Sequence, residues 1–269
     1  MRRFLHRHIR TRLELAHRAA RPAGTWKRTM AYQFQFEPVF AHVNLLAEGV
    51  LMTMAISSAA IFFGTAIGIA TAALRSVQTG RIRTLIDAYV EVVRNTPFLV
   101  QIFILYFGLP AVNLRVTATE AALIGMIINL GAYSTEIIRA GIEAIHRSQV
   151  EAGLSLGMTR LQIFRHVILK PAVAKVYPAL CSQFVLMMLA SSVTSAISTQ
   201  ELSSMAAQID SETFRSFEVY TVVTLIYLGL ALLFKAVLTL IGHLIFSRRR
   251  AASRQVEIGV VSPMKEVAP

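Results

Sequence analysis

The sequence lacks several features on which soluble enzymes and disulfide-stabilised domains depend. Cys181 is the single cysteine among 269 residues, which excludes an intrachain disulfide framework and a cysteine-rich metal site. No GxxxxGK[ST] phosphate loop, no HExxH zinc motif and no GxSxG nucleophile elbow occurs in the chain. We therefore predict that the chain is not an enzyme and holds no metal or cofactor. Any motor that drives it is expected on another polypeptide.

Charged residues are also scarce, at 16% of the chain, whereas hydrophobic residues make up 55%. Residues 49–74 and 176–200 contain no charged side chain at all. Because roughly 20 apolar helical residues cross the hydrocarbon core of a bilayer, such runs are typical of membrane spans. A large soluble helical protein is the alternative, but its buried helices rarely sustain runs of this length. We predict an all-α integral membrane protein with about five spans, near residues 49–74, 88–110, 118–138, 174–198 and 219–246.

The connections between these spans differ in charge, and this difference predicts their orientation. The connection after the first span and the long connection from Arg139 to Lys175 are rich in arginine and lysine. Residues 200–218 instead carry four acidic side chains and one arginine. The basic connections and the C-terminus are therefore predicted to lie in the cytoplasm, and the acidic connection outside.

Three regions are expected along the chain. Residues 1–29 hold nine Lys or Arg against one Glu, residues 30–247 form the transmembrane domain, and residues 248–269 form a cytoplasmic tail. Such a basic segment resists crossing a membrane. It is either a basic helix on the membrane surface or, if the protein begins at Met30, no part of the fold. The positive charge of this segment does not indicate nucleic-acid binding. The expected partner of the chain as a whole is the lipid bilayer.

The long connection before the fourth span contains signals for two short helices. Ser148 with Glu151, and Thr159 with Gln162, have the spacing of capping boxes. Gly157 lies between them, where a helix ends most easily on a glycine with positive φ. The loop is unusually apolar, which favours a surface that packs against a partner, through Leu154, Leu156, Met158, Leu161, Ile163 and Phe164. From spacing alone, a hairpin resting on the protein's own helices is an equal alternative.

The same connection contains a series of residues found in a known family. It reads Glu151-Ala152-Gly153, then Gly157, then Val167-Ile168-Leu169, and it resembles the EAA loop of bacterial ABC importer permeases. Residues 89–101 and 132–142 are similar to the branch that imports polar amino acids, the histidine/glutamine/arginine type. The resemblance implies a type I importer fold in which this loop forms a coupling helix that docks on an ATPase. The residues it implies in coupling are Glu151, Ala152, Gly153, Gly157, Thr159 and Phe164.

The resemblance also implies partners and a location. These are cytoplasmic ABC ATPase subunits that bind the ATP, a second permease subunit (identical or a sister chain) and a periplasmic solute-binding protein, in the cell inner membrane. The chain departs from the family at Gly153, which replaces an alanine, and at residues 189–192, where Leu-Ala-Ser-Ser replaces Lys-Asp-Thr-Ser. The second departure leaves the substrate contacts open. A secondary transporter or channel that needs no ATPase is the alternative function.

Polar side chains within the predicted spans are the candidates for a substrate path. They are Arg94, Asn129, Gln183, Ser191 and Ser192. The alternative for such residues is hydrogen bonding that bridges neighbouring helices. Glu136 and Arg139, three residues apart, are expected to form a local ion pair.

Two further signals concern helix geometry. Pro97 is expected to begin or kink the second span, because it lacks an N–H donor. Gly64 and Gly68 form a GxxxG pattern, which predicts close packing of the first span against a neighbouring helix.

Overall fold

The computed structural model describes residues 32–261, with side chains up to Phe246 apart from Val77 and Arg160. The basic segment at residues 1–29 lies outside the described residues. The described residues from Phe36 to Val261 belong to one compact unit. Its α-helices are α1 Glu37–Phe40, α2 Val43–Val77, α3 Arg81–Arg94, α4 Phe98–Phe103, α5 Ala118–Glu143, α6 Arg147–Ser155, α7 Arg160–Gln162, α8 Leu169–Ala190, α9 Leu202–Thr213 and α10 Ser216–Val261.

Shorter turns extend several of these helices. A π-helical turn and a 3-10 turn follow α4, over Ile104–Gly108 and Leu109–Val112. A second π-helical turn, Ile163–Ile168, joins α7 to α8, and a 3-10 turn, Ser191–Ile197, continues α8. No strand occurs within residues 32–261. The predicted all-α class is therefore confirmed.

Four helical segments are long and apolar enough to cross a membrane: Val43–Ser76, Ala118–Glu143, Ile163–Ile197 and Ser216–Phe246. The pair formed by α3 with residues 98–112 is a fifth candidate if it counts as one bent span. The prediction of about five spans is confirmed. The first, third and fourth spans begin or end several residues beyond the predicted bounds, because the helices continue past the apolar runs into polar ends.

The second span differs from its prediction in shape. A single span over 88–110 was expected, but α3 ends at Arg94, α4 begins at Phe98, and the two parts meet at an angle of 107°. The side chains of Asn95 and Thr96 bond back to carbonyls of α3, at 2.8 Å each. Pro97 precedes α4 with extended backbone, where its missing N–H costs no helical bond. The predicted second span is therefore divided into two helices, and the prediction that Pro97 begins or kinks it is confirmed.

The GxxxG pattern packs α2 against α5. A Cβ atom added at Gly64 would lie 2.9 Å from Cβ of Leu130, and one added at Gly68 would lie 2.4 Å from Cβ of Ser134. Both distances are shorter than real Cβ contacts, so only glycine allows the two backbones to approach this closely. The predicted close packing is confirmed, and α5 is the partner helix.

Candidate functional site

The loop between α5 and α8, residues 144–162, is called the α6 loop here. It starts at once after the third span: Ala144 caps α5, and α6 begins at Arg147. Lys175 on α8 donates from Nζ to the carbonyl oxygen of Ala144 at 2.7 Å. This bond satisfies a carbonyl at the end of α5 and places a cation where the helix dipole is negative. The loop is thereby attached firmly to two membrane helices.

The start of α6 differs from the sequence prediction. The expected capping box of Ser148 with Glu151 is not formed. Instead His146 is the N-cap, and its Nδ1 accepts from the backbone N–H of Ser148 at 3.3 Å. The N-cap therefore lies two residues earlier than predicted, at His146 instead of Ser148, and the carboxylate of Glu151 is left exposed to solvent.

The end of α6 has the geometry of a Schellman motif. Gly157 has φ +73°, the N–H of Gly157 donates to the carbonyl of Leu154 at 2.9 Å, and the N–H of Met158 donates to that of Gly153 at 3.1 Å. This pair of bonds ends a helix on a left-handed residue. The predicted positive φ at Gly157 is confirmed.

The second predicted capping box is also confirmed. The backbone N–H of Thr159 donates to Oε1 of Gln162 at 2.8 Å, and the N–H of Gln162 donates to Oγ1 of Thr159 at 3.3 Å. Together with the Schellman motif, this box specifies a sharp turn between α6 and α7. The α6 loop is thus an ordered structure in which hydrogen bonds fix both the end of α6 and the start of α7.

Side-chain packing explains why Gly153 stands where the family has an alanine. Gly153 is buried, and a Cβ atom added there would lie 3.0 Å from Cγ1 of Ile163 and 3.6 Å from the sulfur of Met158. Ile163 itself is only 3% exposed. The side chain of Ile163 therefore occupies the space above Gly153, which holds α6 against the turn that leads into α8.

The outer surface of the α6 loop is apolar. Leu156 is 81% exposed, Leu161 75% and Leu154 53%, and Phe164 is also exposed. Ala152 and Thr159 are exposed beside them. These side chains do not rest on the protein's own helices, so the alternative of a self-packed hairpin does not describe them. Exposed leucines in an ordered loop are typical of a docking surface.

Charged side chains cluster where α2, α3 and α5 meet, close to the α6 loop. The guanidinium of Arg75 lies 2.5 Å from both Asp87 and Glu136, and Glu136 also pairs with Arg139 at 2.8 Å. Arg94 approaches Glu136 only to 3.8 Å and lies over the ring of Tyr133, 5.4 Å from its centre. The predicted Glu136–Arg139 pair is confirmed, but it is part of a larger network that joins three helices.

The candidate path residues do not form one constellation. Asn129 is buried and donates from Nδ2 to Oε1 of Gln101 at 3.0 Å, which bridges α5 and α4. Ser191 and Ser192 donate to carbonyls of their own helix, three residues back, at 2.7 Å each. Gln183 is half-buried and its side chain has no hydrogen-bond partner within the described residues. Arg94 lies apart from these residues, in the charged cluster.

Sequence reasoning missed a buried carboxylate at the other end of the spans. Glu201 is 0% exposed and caps α9 by accepting from the N–H of Ser204 at 3.0 Å. The hydroxyl of Tyr227 on α10 donates to Glu201 at 2.5 Å, and Thr53 on α2 lies 3.4 Å away. Burial raises the pKa of Glu201 above its ordinary value. The sequence signal was an acidic residue directly before an amphipathic helix, in a segment treated only as an acidic connection.

Comparisons with known proteins agree with this geometry. Residues 39–250 match the model of a family described as binding-protein-dependent transport system inner membrane component. The glutamine transport system permease protein of Escherichia coli K12 is 32% identical over 208 residues, which cover 77% of this chain and 95% of that protein. The octopine transport system permease protein of Rhizobium meliloti is 30% identical over 234 residues, 83% and 96% of the two chains.

A solved structure is similar in fold as well. The crystal structure of an amino acid ABC transporter with histidines has a chain that is 33% identical, with a TM-score of 0.75, over 79% of this chain and 99% of that one. The resemblance to amino-acid importer permeases seen in the sequence is thereby confirmed. With several apolar helices, an ordered α6 loop and a family match over most of its length, this chain is a multi-pass membrane protein and belongs to the family of binding-protein-dependent transport system inner membrane components.

Proposed function

We propose that this chain is the translocating subunit of an ATP-driven importer of polar amino acids. In this function, a solute-binding protein delivers the substrate outside the membrane, and ATPase subunits drive the change of conformation from the cytoplasm. A second permease subunit, identical or a sister chain, completes the pathway. Relatives named for the transport of glutamine and octopine support the substrate class.

The orientation follows from charge. Residues 75–83, where α2 ends and α3 begins, carry three arginines, and residues 139–175 around the α6 loop carry six Lys or Arg against two Glu. The connection that contains α9 is acidic. The positive-inside rule then puts the α6 loop in the cytoplasm, where ATP is found. The same rule puts α9 and the C-terminal end of α8 on the outer side, where a binding protein docks.

The observation that carries the proposal is the surface of the α6 loop. It is ordered by a Schellman motif and a capping box, yet it exposes Leu154, Leu156 and Leu161. A loop needs this order only if its shape is recognised. The chain has no phosphate-binding loop of its own. A separate ATPase with an apolar groove would account both for the exposed leucines and for the missing phosphate-binding loop.

The attachment of the loop explains how force reaches the spans. Only residues 144–146 separate α5 from α6, and Lys175 ties the end of α5 to α8. The network around Glu136 extends the connection to α2 and α3. When the ATPase subunits close, α6 and these helices are proposed to move together as a rigid body.

The substrate path is proposed along the polar positions within the spans. Asn129 and Gln101 form an amide pair, and Gln183 has an amide without a partner within the described residues. Amide groups donate and accept hydrogen bonds without charge, so they suit polar substrates at low desolvation cost. Ser191 and Ser192 keep acceptor lone pairs for the path, although their hydroxyl protons are engaged. Arg94 is proposed to act at the end of the path, not in its middle.

The test compares docking and transport in one preparation. Permease, ATPase subunits and binding protein are reconstituted in liposomes, and ATP-driven uptake of labelled amino acids is measured for the parent and for Glu151→Arg. The exposed Glu151 carboxylate lies on the proposed docking surface, so its reversal is expected to abolish uptake and to release the ATPase during purification. Phe214→Asn, an exposed position at the opposite end of the spans, is the matched control and is expected to keep the ATPase bound.

Two results would count against the proposal. Normal ATP-driven uptake by Glu151→Arg would show that the α6 loop is not the coupling surface. Concentrative uptake by the lone chain, driven by a proton or sodium gradient, would instead favour a secondary transporter.

A further inference from the structure

A polar pocket of about 540 Å³ lies beside the charged cluster, between α3 and the C-terminal half of α5. Its volume is within the range of small-molecule sites in proteins. The walls hold three guanidinium groups, from Arg75, Arg94 and Arg139, and three carboxylates, from Asp87, Glu91 and Glu136. The pocket is therefore close to neutral in total charge while its walls are strongly polar.

Most of these charges are already engaged with one another. Arg75 pairs with Asp87 and Glu136, and Arg139 pairs with Glu136 and Glu143. These contacts account for the inner wall of the pocket, and they leave it little capacity to bind a further ion.

Two groups on α3 remain available. The carboxylate of Glu91 is exposed and makes no hydrogen bond or ion pair within the described residues. Arg94 has only the 3.8 Å contact with Glu136 and its position over the ring of Tyr133. Glu91 and Arg94 are three residues apart on one helix, which makes them neighbours on its surface. An available anion and an available cation thus lie side by side at the mouth of the pocket.

This pair selects the class of ligand. An anion such as phosphate would be repelled by Glu91, and a simple cation would be repelled by Arg94. A zwitterion satisfies both, because its carboxylate pairs with the guanidinium and its ammonium with the carboxylate. The ring of Tyr133 and the exposed amide of Asn95 complete the mouth of the pocket.

We infer that this pocket binds a free α-amino acid through its α-carboxylate at Arg94 and its α-ammonium at Glu91. In the orientation of the proposed function, on which this inference rests, the pocket lies at the cytoplasmic end of the spans. It is then a release-side station for the imported amino acid, separate from the amide pair of Asn129 and Gln101 deeper in the spans.

The experiment measures binding directly to the purified, nucleotide-free complex of permease and ATPase. Tritiated L-glutamine, L-histidine and L-arginine are the probes, each in equilibrium dialysis against the parent and two variants, Glu91→Gln and Arg94→Gln. Each variant removes one charge from the proposed contacts. At least one probe is expected to bind about tenfold more weakly to both variants, as the loss of one charged hydrogen bond predicts. Arg94→Gln is expected to fold, because Glu136 keeps Arg75 and Arg139.

Two controls establish that the probes bind at this pocket and through both charged groups. Glu48→Gln, an exposed carboxylate near the other end of α2, is expected to bind the probes as the parent does. N-acetyl-L-glutamine, which lacks the ammonium, and L-glutamine amide, which lacks the carboxylate, are expected not to compete. Equal binding of all three probes to the parent and to both variants would overturn the inference, and so would full competition by the two blocked analogues.

A further measurement distinguishes failure of the inferred binding pocket from failure of the proposed function. ATP-driven uptake by the parent complex is measured in liposomes with the binding protein added. If the parent complex takes up amino acids but the Glu91 and Arg94 variants bind the probes as tightly as the parent, only the pocket is rejected. Absent ATP-driven uptake rejects the proposed function, and binding that is lost in both variants would still establish the pocket.

Discussion

Arg75 donates from Nη1 to Oε1 of Glu136 across 2.5 Å, and this contact links the C-terminal parts of α2 and α5. The side chains are only 17% and 18% exposed, so water screens the pair weakly. Glu136 is also the carboxylate that Arg139 and Arg94 face. One carboxylate therefore pairs closely with guanidinium groups from α2 and α5, while Arg94 on α3 stays 3.8 Å away.

Removing the charge of Glu136 is expected to destabilise this junction. Glu136→Gln leaves Arg75 and Arg139 facing an amide, and we expect a loss of about 2 kcal/mol, the usual size of a hydrogen bond to a charged group. Thermal unfolding of the detergent-solubilised protein measures the loss, and ATP-driven uptake is expected to fall severalfold. Glu143→Gln is the matched control, since Glu143 pairs with the same Arg139 but is 62% exposed. Equal effects of the two substitutions would contradict the role given to Glu136.

The turn after α6 is expected to require glycine. Gly157→Ala forces a side chain into a left-handed conformation, at a cost of about 1–2 kcal/mol. Gly80 has a similar φ of +70°, and both glycines have open space around them. The ψ of Gly80, −139°, lies outside the left-handed helical region and is adopted almost only by glycine, so Gly80→Ala is expected to cost at least as much stability. Only Gly157→Ala is expected to reduce ATP-driven uptake strongly. An equal loss of uptake in both variants would show that strain, not the position of the α6 loop, is responsible.

The contact between α2 and α5 is expected to tolerate nothing larger than glycine. Gly68→Val places atoms into the space of Ser134, and overpacking of this kind costs about 1–3 kcal/mol. The measurement is the unfolding temperature in detergent. Gly229→Ala on α10 is the control, because nothing lies within 4 Å of an added Cβ there, and alanine favours the helix. A stable Gly68→Val variant would mean that the two helices separate without cost.

The buried Glu201 predicts a pH dependence of stability. Its pKa is raised in the folded state by burial, so the folded state holds its proton at a pH where the unfolded state has lost it. Stability is therefore expected to fall as the pH rises from the ordinary carboxyl value of 4.5 through the raised value.

The substitution Glu201→Gln tests this directly. Glutamine keeps an oxygen for the N–H of Ser204 but cannot ionise, so the decline of the unfolding temperature with rising pH is expected to flatten. Glu48→Gln, an exposed carboxylate on α2 without an ion pair within the described residues, is expected to keep the parent's slope. If the unfolding temperature of Glu201→Gln falls with rising pH as steeply as that of the parent, another group causes the pH dependence.

The sequence alone predicted those features that depend on local chemistry. Long uncharged runs require helices in lipid, so the number and approximate places of the spans followed from composition. Gly157 and the Thr159–Gln162 box were found because left-handed turns and helix caps depend on residues close together in the chain. Gly64 and Gly68 were identified for the same reason, although not their partner helix.

The tertiary structure decided what depends on residues far apart in the chain. Pro97 indicates a break or a kink in the second span, but the angle of 107° between α3 and α4 depends on how the two helices pack against the rest of the fold. The partners of Glu136, the pairing of Asn129 with Gln101, and the burial of Glu201 join side chains from different helices. The positions of these side chains follow from the packing of helices against one another, which the spacing of residues along the chain does not reveal.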